Sequence, residues 1–146
     1  MSGASLKVGE KMQYKFTIKG TLPNLNDLIA AERQQIRRNG KFTTLGNTLK
    51  QDNQELVILN LRSQLKGIHI NHPIVIKYCF YEPNRRRDLD NISAFAHKVI
   101  QDALVKCEII ENDGWKNITG FTDKFYVDKE NPRIEVTLEE VIKLDK

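Results

Sequence analysis

Pro73-Ile74-Val75-Ile76-Lys77-Tyr78-Cys79-Phe80-Tyr81 is followed by Glu82-Pro83-Asn84, by Arg85-Arg86-Arg87-Asp88-Leu89-Asp90-Asn91, and then by a change of period. In the first run Ile74, Ile76, Tyr78 and Phe80 share one face, and Val75, Lys77, Cys79 and Tyr81 share the other, which predicts a strand. Pro83-Asn84 ends it. Beyond Asn91, Ile92, Phe95, Ala96, Val99, Ile100, Ala103 and Leu104 recur at spacings of three and four. That is an amphipathic helix, expected to end near Lys106.

Outward from this unit the remaining elements are shorter. Met12, Tyr14, Phe16 and Ile18 alternate as a half-buried strand, broken by Gly20 and Pro23. Asn26 is placed to cap a helix running to about Arg38, with Leu28, Ile29 and Ile36 as a thin apolar stripe and Asn39-Gly40 closing it. Phe42 to Gly46 then reads as an exposed loop. A longer helix is predicted over about Asn47 to Gln64, although Asp52-Asn53 is poor helix-interior chemistry.

On the C-terminal side, Asn112-Asp113-Gly114 is a turn and Lys116 to Phe121 a strand. Asp123, or the Asp128 to Pro132 stretch, supplies further turns before a last alternating strand of Ile134, Val136 and Leu138. The order is strand, two helices, strand, helix, two strands. It predicts one α/β domain over 1–146, with a mixed or antiparallel sheet of about four strands and about three helices.

Composition narrows the class. The 146 residues are 40% hydrophobic and 29% charged, which suits a globular domain rather than a disordered or fibrous chain. No apolar run is long enough to span a bilayer, so no membrane partner is expected. Met1-Ser2-Gly3-Ala4-Ser5 lacks a basic segment leading into an apolar run, and Cys79 and Cys107 have neither metal-ligand spacing nor a disulfide framework. A reducing cytoplasm is the expectation. The net charge of +4 is modest; what counts is that the basic residues gather at Arg33–Arg38, Lys41, Lys50 and Arg85–Arg87.

Asp88 and Asp90 stand two apart at a strand-to-helix turn. Were the segment extended, both carboxylates would project to one side, an arrangement that suits Mg²⁺. The plainer reading is a cap: Asp90 or Asn91 satisfies the exposed amides of the helix, and Asp88 is solvated. Arg85, Arg86 and Arg87 add fixed positive charge that suits a metal working on a phosphodiester, because guanidinium groups bind phosphate bidentately. Pairing of these arginines with Asp88 and Asp90 explains them equally well, and the residues alone leave both readings open.

The run Arg-Arg-Arg-Asp-Leu-Asp-Asn at 85–91, the amphipathic helix reaching Asp102-Ala103-Leu104 and the acidic turn after it resemble the RusA family of Holliday junction resolvases. The resemblance is specific from Pro83 to about Asp113, and weaker over Tyr14 to Leu28 and the last strand. It implies a small α/β homodimer that cleaves four-way DNA junctions with Mg²⁺, and proteins of this kind often come from phage or prophage regions. Position by position, Asp88 and Asp90 match the paired catalytic, metal-binding aspartates and Asp113 the third. Asn112 stands where the family tends to carry an adjacent acid, which leaves the number of metal ligands open. The family lysine aligns directly with Ala94, but this helix is about one turn longer. Lys98, four residues before Asp102 as the family lysine is, is therefore the catalytic candidate. Arg85, Arg86, Arg87, Arg37, Arg38 and Lys41 are the candidate DNA contacts. Trp115 is placed to stack on an unpaired base, or else to pack half-buried. His69, His72, His97 and Cys79 carry no ligand or nucleophile spacing. A non-catalytic junction-binding module on the same scaffold is the rival reading.

Overall fold

The computed structural model describes residues 4–8 and 11–141. The reading of Met1 to Gly3 lies outside them. The order is β1 (Ala4–Val8), β2 (Lys11–Lys19), α1 (Leu25–Glu32), β3 (Gln35–Arg38), β4 (Lys41–Thr44), α2 (Leu45–Gln64), β5 (Ile74–Glu82), α3 (Leu89–Lys106), β6 (Ile118–Val127) and β7 (Arg133–Glu140). The single α/β domain has three helices, as expected. Its main sheet holds five strands in the order β1-β2-β7-β5-β6, and β3 and β4 form a separate two-stranded ribbon. The sheet is mixed: β5 and β6 run parallel and every other pair is antiparallel.

Register explains why alternation was readable. Ile18, Ile134 and Phe80 lie in one cross-strand row, Phe16, Val136 and Tyr78 in the next, and Tyr14, Leu138 and Ile76 in a third. All nine side chains are buried on the same face. Onto it pack Val57, Leu61 and Leu65 from the α2 end, and the whole apolar stripe of α3. Each fully buried Leu, Ile or Phe contributes roughly 1.5–3 kcal/mol of apolar transfer, so this one layer holds the domain together. The opposite face carries Lys15, Thr17, Lys77 and Glu135 and stays open. No helix among the described residues is long and apolar enough to cross a membrane.

Several local expectations change. The first helix is capped by Asn24 rather than Asn26. The Asn24 side chain accepts from the Asp27 amide at 2.9 Å, and Asp27 accepts from the Asn24 amide at 2.9 Å, a reciprocal capping box. That helix stops at Glu32, because residues 33–38 offer only Ile36 to a helical apolar face. Asn39 and Gly40, with φ of 53° and 77°, are the two-residue turn of the β3–β4 hairpin rather than a helix end. The expected 42–46 loop is therefore β4 and the start of α2.

α2 begins at Leu45 with Thr44 as its cap. Its mid-helix Asn53 is tolerated because Nδ2 donates to the Leu49 carbonyl one turn back at 2.8 Å. β1, unforeseen, pairs with β2 from Lys11 to Tyr14 among the described residues. Beyond it, the Gln64 side chain accepts from the Thr17 amide at 2.7 Å and donates to its carbonyl at 2.8 Å. β6 runs to Val127, so Asp123 is a strand residue and the turn before β7 lies at 128–132. α3 carries the chain back from the end of β5 to the start of β6, the crossover that a parallel pair requires.

Candidate active site

The Arg85–Asn91 run occupies the turn from β5 into α3, and its members part company there. Arg87 folds back on the strand: its Nε and Nη2 donate to the two carboxylate oxygens of Glu82 at 3.0 and 2.8 Å, and Nη1 donates to the Leu22 carbonyl at 2.7 Å. Glu82 is 6% exposed. Arg87 is thus spent on a buried carboxylate, and its partner is neither Asp88 nor Asp90. The Arg86 amide donates to Asn84 Oδ1 at 3.0 Å, which closes the turn and leaves the Arg85 and Arg86 side chains in solvent.

Asp88 is the N-cap of α3, in extended geometry (φ −72°, ψ 144°), yet its side chain makes no capping hydrogen bond. Asp90 already belongs to the first helical turn, where the dipole and free amides favour an anion. The pair therefore does not project from one extended segment. Both carboxylates are exposed, and among the described residues no cation forms a salt bridge with either.

Along α3 the face turned from the core carries Ala94, His97, Lys98, Gln101 and Asp102. The turn after the helix brings Asp113 to this face, and with Phe121 they line an open depression of about 290 Å³. Asp113 and Lys98 thus line one depression together with Asp102, and Lys98 Nζ is 3.9 Å from Asp102 Oδ2 and 58% exposed. Asp88 lies instead in a second depression of about 440 Å³ around the α3 N-terminus, with Arg85, Leu89 and Tyr126. Lys98 is eight residues from Asp90, about 12 Å along the helix axis, whereas Ala94 is one turn away. A lysine at position 98 therefore stands one turn further from Asp90 than position 94 does. Among the described residues no group of three or more His, Cys, Asp and Glu side chains stands close enough to hold one metal ion.

One arrangement at this face escaped the sequence. His97 Nε2 lies 2.7 Å from Asp123 Oδ1, with its ring between Tyr78 and Phe121 at centroid distances of 4.4 and 4.5 Å. Gln101 donates to the Tyr78 hydroxyl at 3.2 Å. Burial pushes that hydroxyl's pKa well above its ordinary value. No spacing signals a contact between residues 26 apart on a helix and a strand, and Asp123 was one of the two places where a turn was expected. Trp115, by contrast, is 95% exposed, which excludes the half-buried packing role.

Arg37, Arg38 and Lys41 sit on the hairpin rather than on a helix. Arg38 is tied to Asp52 at 3.0 Å. His69 Nδ1 lies 2.6 Å from the Glu108 carbonyl, a structural contact, and Cys79 is a half-buried residue on the outer face of β5. No family model matches the chain, and no curated protein matches it.

Proposed function

We propose that the chain is a Mg²⁺-dependent, structure-selective endodeoxyribonuclease that resolves four-way DNA junctions as a homodimer. The observation that carries this is the strand-to-helix turn, where Asp88 caps α3 without spending its carboxylate. One helix face further on, Asp113 and Lys98 share a depression. A carboxylate at a helix start that forgoes the capping bond is left free for another partner.

The donor chemistry fits the metal. Asp88, Asp90 and Asp113 are exposed all-oxygen ligands, and Mg²⁺ takes one or two carboxylates while keeping its other positions for water and phosphate. Asp113 lines a separate depression, so Asp88 and Asp90 at the turn would hold the ion, which when bound supplies charge neutralisation at the phosphate and a more acidic water. The chain's own contributions are positional. Arg85 and Arg86 hold the DNA backbone beside the carboxylates, and Lys98 offsets charge building on the phosphoryl oxygens. Two sites related by a two-fold axis match the approximate two-fold symmetry of a junction.

The second reading is a junction-binding module without turnover, favoured by the placement of Asp88 and Asp113 in separate depressions. Incubation of the protein with an end-labelled four-way junction separates the two. Paired nicks in Mg²⁺ that vanish in EDTA support the nuclease. A gel shift without cleavage supports the module, and no binding at all rejects both.

A further inference from the structure

The β3–β4 hairpin has no part in the core, and its chemistry is one-sided. Residues 33–44 contain Arg33, Arg37, Arg38 and Lys41 and not one acid. The two strands pair only with each other. A two-stranded ribbon of this kind stabilises a fold very little by itself. Every residue of the pair except Ile36, Thr43 and Thr44 is exposed, and Phe42 is 72% exposed.

Yet the ribbon is not a loose loop. The Asn39-Gly40 turn holds both residues at positive φ, matching the twist of the strands. At its base the Leu45 amide donates to the Gln34 carbonyl at 2.8 Å, and Arg38 is anchored to Asp52 on α2. Arg37 lies directly across from Phe42, with its guanidinium 4.6 Å from the ring centroid. The result is an arm, tied at its base and turn, that presents an aromatic ring with a cation over it to solvent.

We propose that this hairpin is a nucleic-acid arm, in which Arg33, Arg37 and Lys41 meet backbone phosphates and Phe42 stacks on a base exposed at the branch point. The proposal rests on the DNA-junction reading above. Charge complementarity selects the partner: with Arg38 paired to Asp52, Arg33, Arg37 and Lys41 leave three cations on a segment without an acid, which suits a polyanion. The aromatic ring selects the part of it, because bases in a continuous duplex offer no free face, whereas those at a branch point do. Arg38 is an anchor of the arm rather than a contact.

The test uses the full chain, with Ca²⁺ in place of Mg²⁺, and two probes: a four-way junction carrying 2-aminopurine at the branch point, and a linear duplex of the same arm sequence. Phe42→Ala is expected to weaken junction binding about tenfold, to leave duplex binding unchanged and to abolish the 2-aminopurine response, with Phe42→Trp restoring both. Arg37→Gln and Lys41→Gln are each expected to flatten the log–log salt dependence by nearly one unit on both probes. Circular dichroism of each variant checks that the fold is kept. Wild-type binding to the junction, with every variant equal to it in affinity, salt slope and fluorescence, overturns the arm and leaves the nuclease reading standing. Absence of junction binding by the wild type overturns that reading and the arm together.

Discussion

Both carboxylate oxygens of Glu82 accept hydrogen bonds from Arg87, at 3.0 and 2.8 Å, while the same guanidinium reaches the Leu22 carbonyl at 2.7 Å. One member of a three-arginine run is thereby a structural residue, and the side chains of the other two are exposed. Arg87→Gln strands a carboxylate that is 7% exposed. It should cost about 2 kcal/mol, below the 3–5 of a fully buried pair because Arg87 itself keeps some solvent contact. Arg85→Gln and Arg86→Gln should leave stability unchanged and reduce the salt slope of junction binding by nearly one unit each. Chemical denaturation and a salt series read the two effects separately. Equal stability losses at all three positions would contradict this division.

The aspartates should divide stability from activity in the opposite sense. Asp88 caps α3 without a side-chain bond, so Asp88→Asn should stay within about 0.5 kcal/mol of wild type. The same substitution, and those at Asp90 and Asp113, should abolish Mg²⁺-dependent cleavage while binding persists. Junction nicking by Asp88→Asn at the parental rate would reduce Asp88 to an ordinary helix start.

Lys98 forms only an exposed pair with Asp102, of the kind that contributes about 0.3–0.5 kcal/mol, so Lys98→Ala should fold normally. If it neutralises transition-state charge, single-turnover cleavage should fall roughly a hundredfold with little change in junction affinity. Moving the lysine back one turn, as Ala94→Lys with Lys98→Ala, should restore part of the rate. Full activity in Lys98→Ala would assign the task to another cation.

At the same end of β5, beside Tyr81, Arg133 donates to Asp128 at 2.8 Å and to Glu135 at 2.7 Å, and its guanidinium lies 3.8 Å from the centroid of the Tyr81 ring. The hydrogen bond from Arg133 holds the Asp128 carboxyl below its ordinary value of 3.8. A depressed folded-state pKa contributes stability above the unfolded value, and that contribution is lost as pH falls from 3.8 through the folded value. Thermal melts from about pH 5 to about pH 2 should therefore show wild type losing more on acidification than Asp128→Asn, and the two curves converging. Parallel curves would mean that the pair contributes nothing.

Much of the frame was legible because its physics is local. Alternation in 73–81 and 134–138 follows from one buried sheet face, and the three–four spacing after Asn91 from one buried helix face, so burial writes its period into the residue order. The same reasoning failed where one dipeptide serves two structures. Asn39-Gly40 supplies left-handed backbone equally to a helix end and to a hairpin turn, and only the thin apolar content of 33–38 could have separated them.

The site divides along the same line. The residues by themselves determined which groups are available: carboxylates at 88, 90 and 113, a lysine at 98, and arginines at 85–87. Which of these act together was decided in three dimensions. Arg87 has acids near it at 82, 88 and 90, and it takes Glu82 because that carboxylate is buried and the Leu22 carbonyl completes its coordination. His97 finds Asp123 only because α3 lies over the edge strand that follows it. A residue's chemistry is a property of its side chain, whereas its partners depend on desolvation and on the path of the chain, and neither is written in the spacing of a motif.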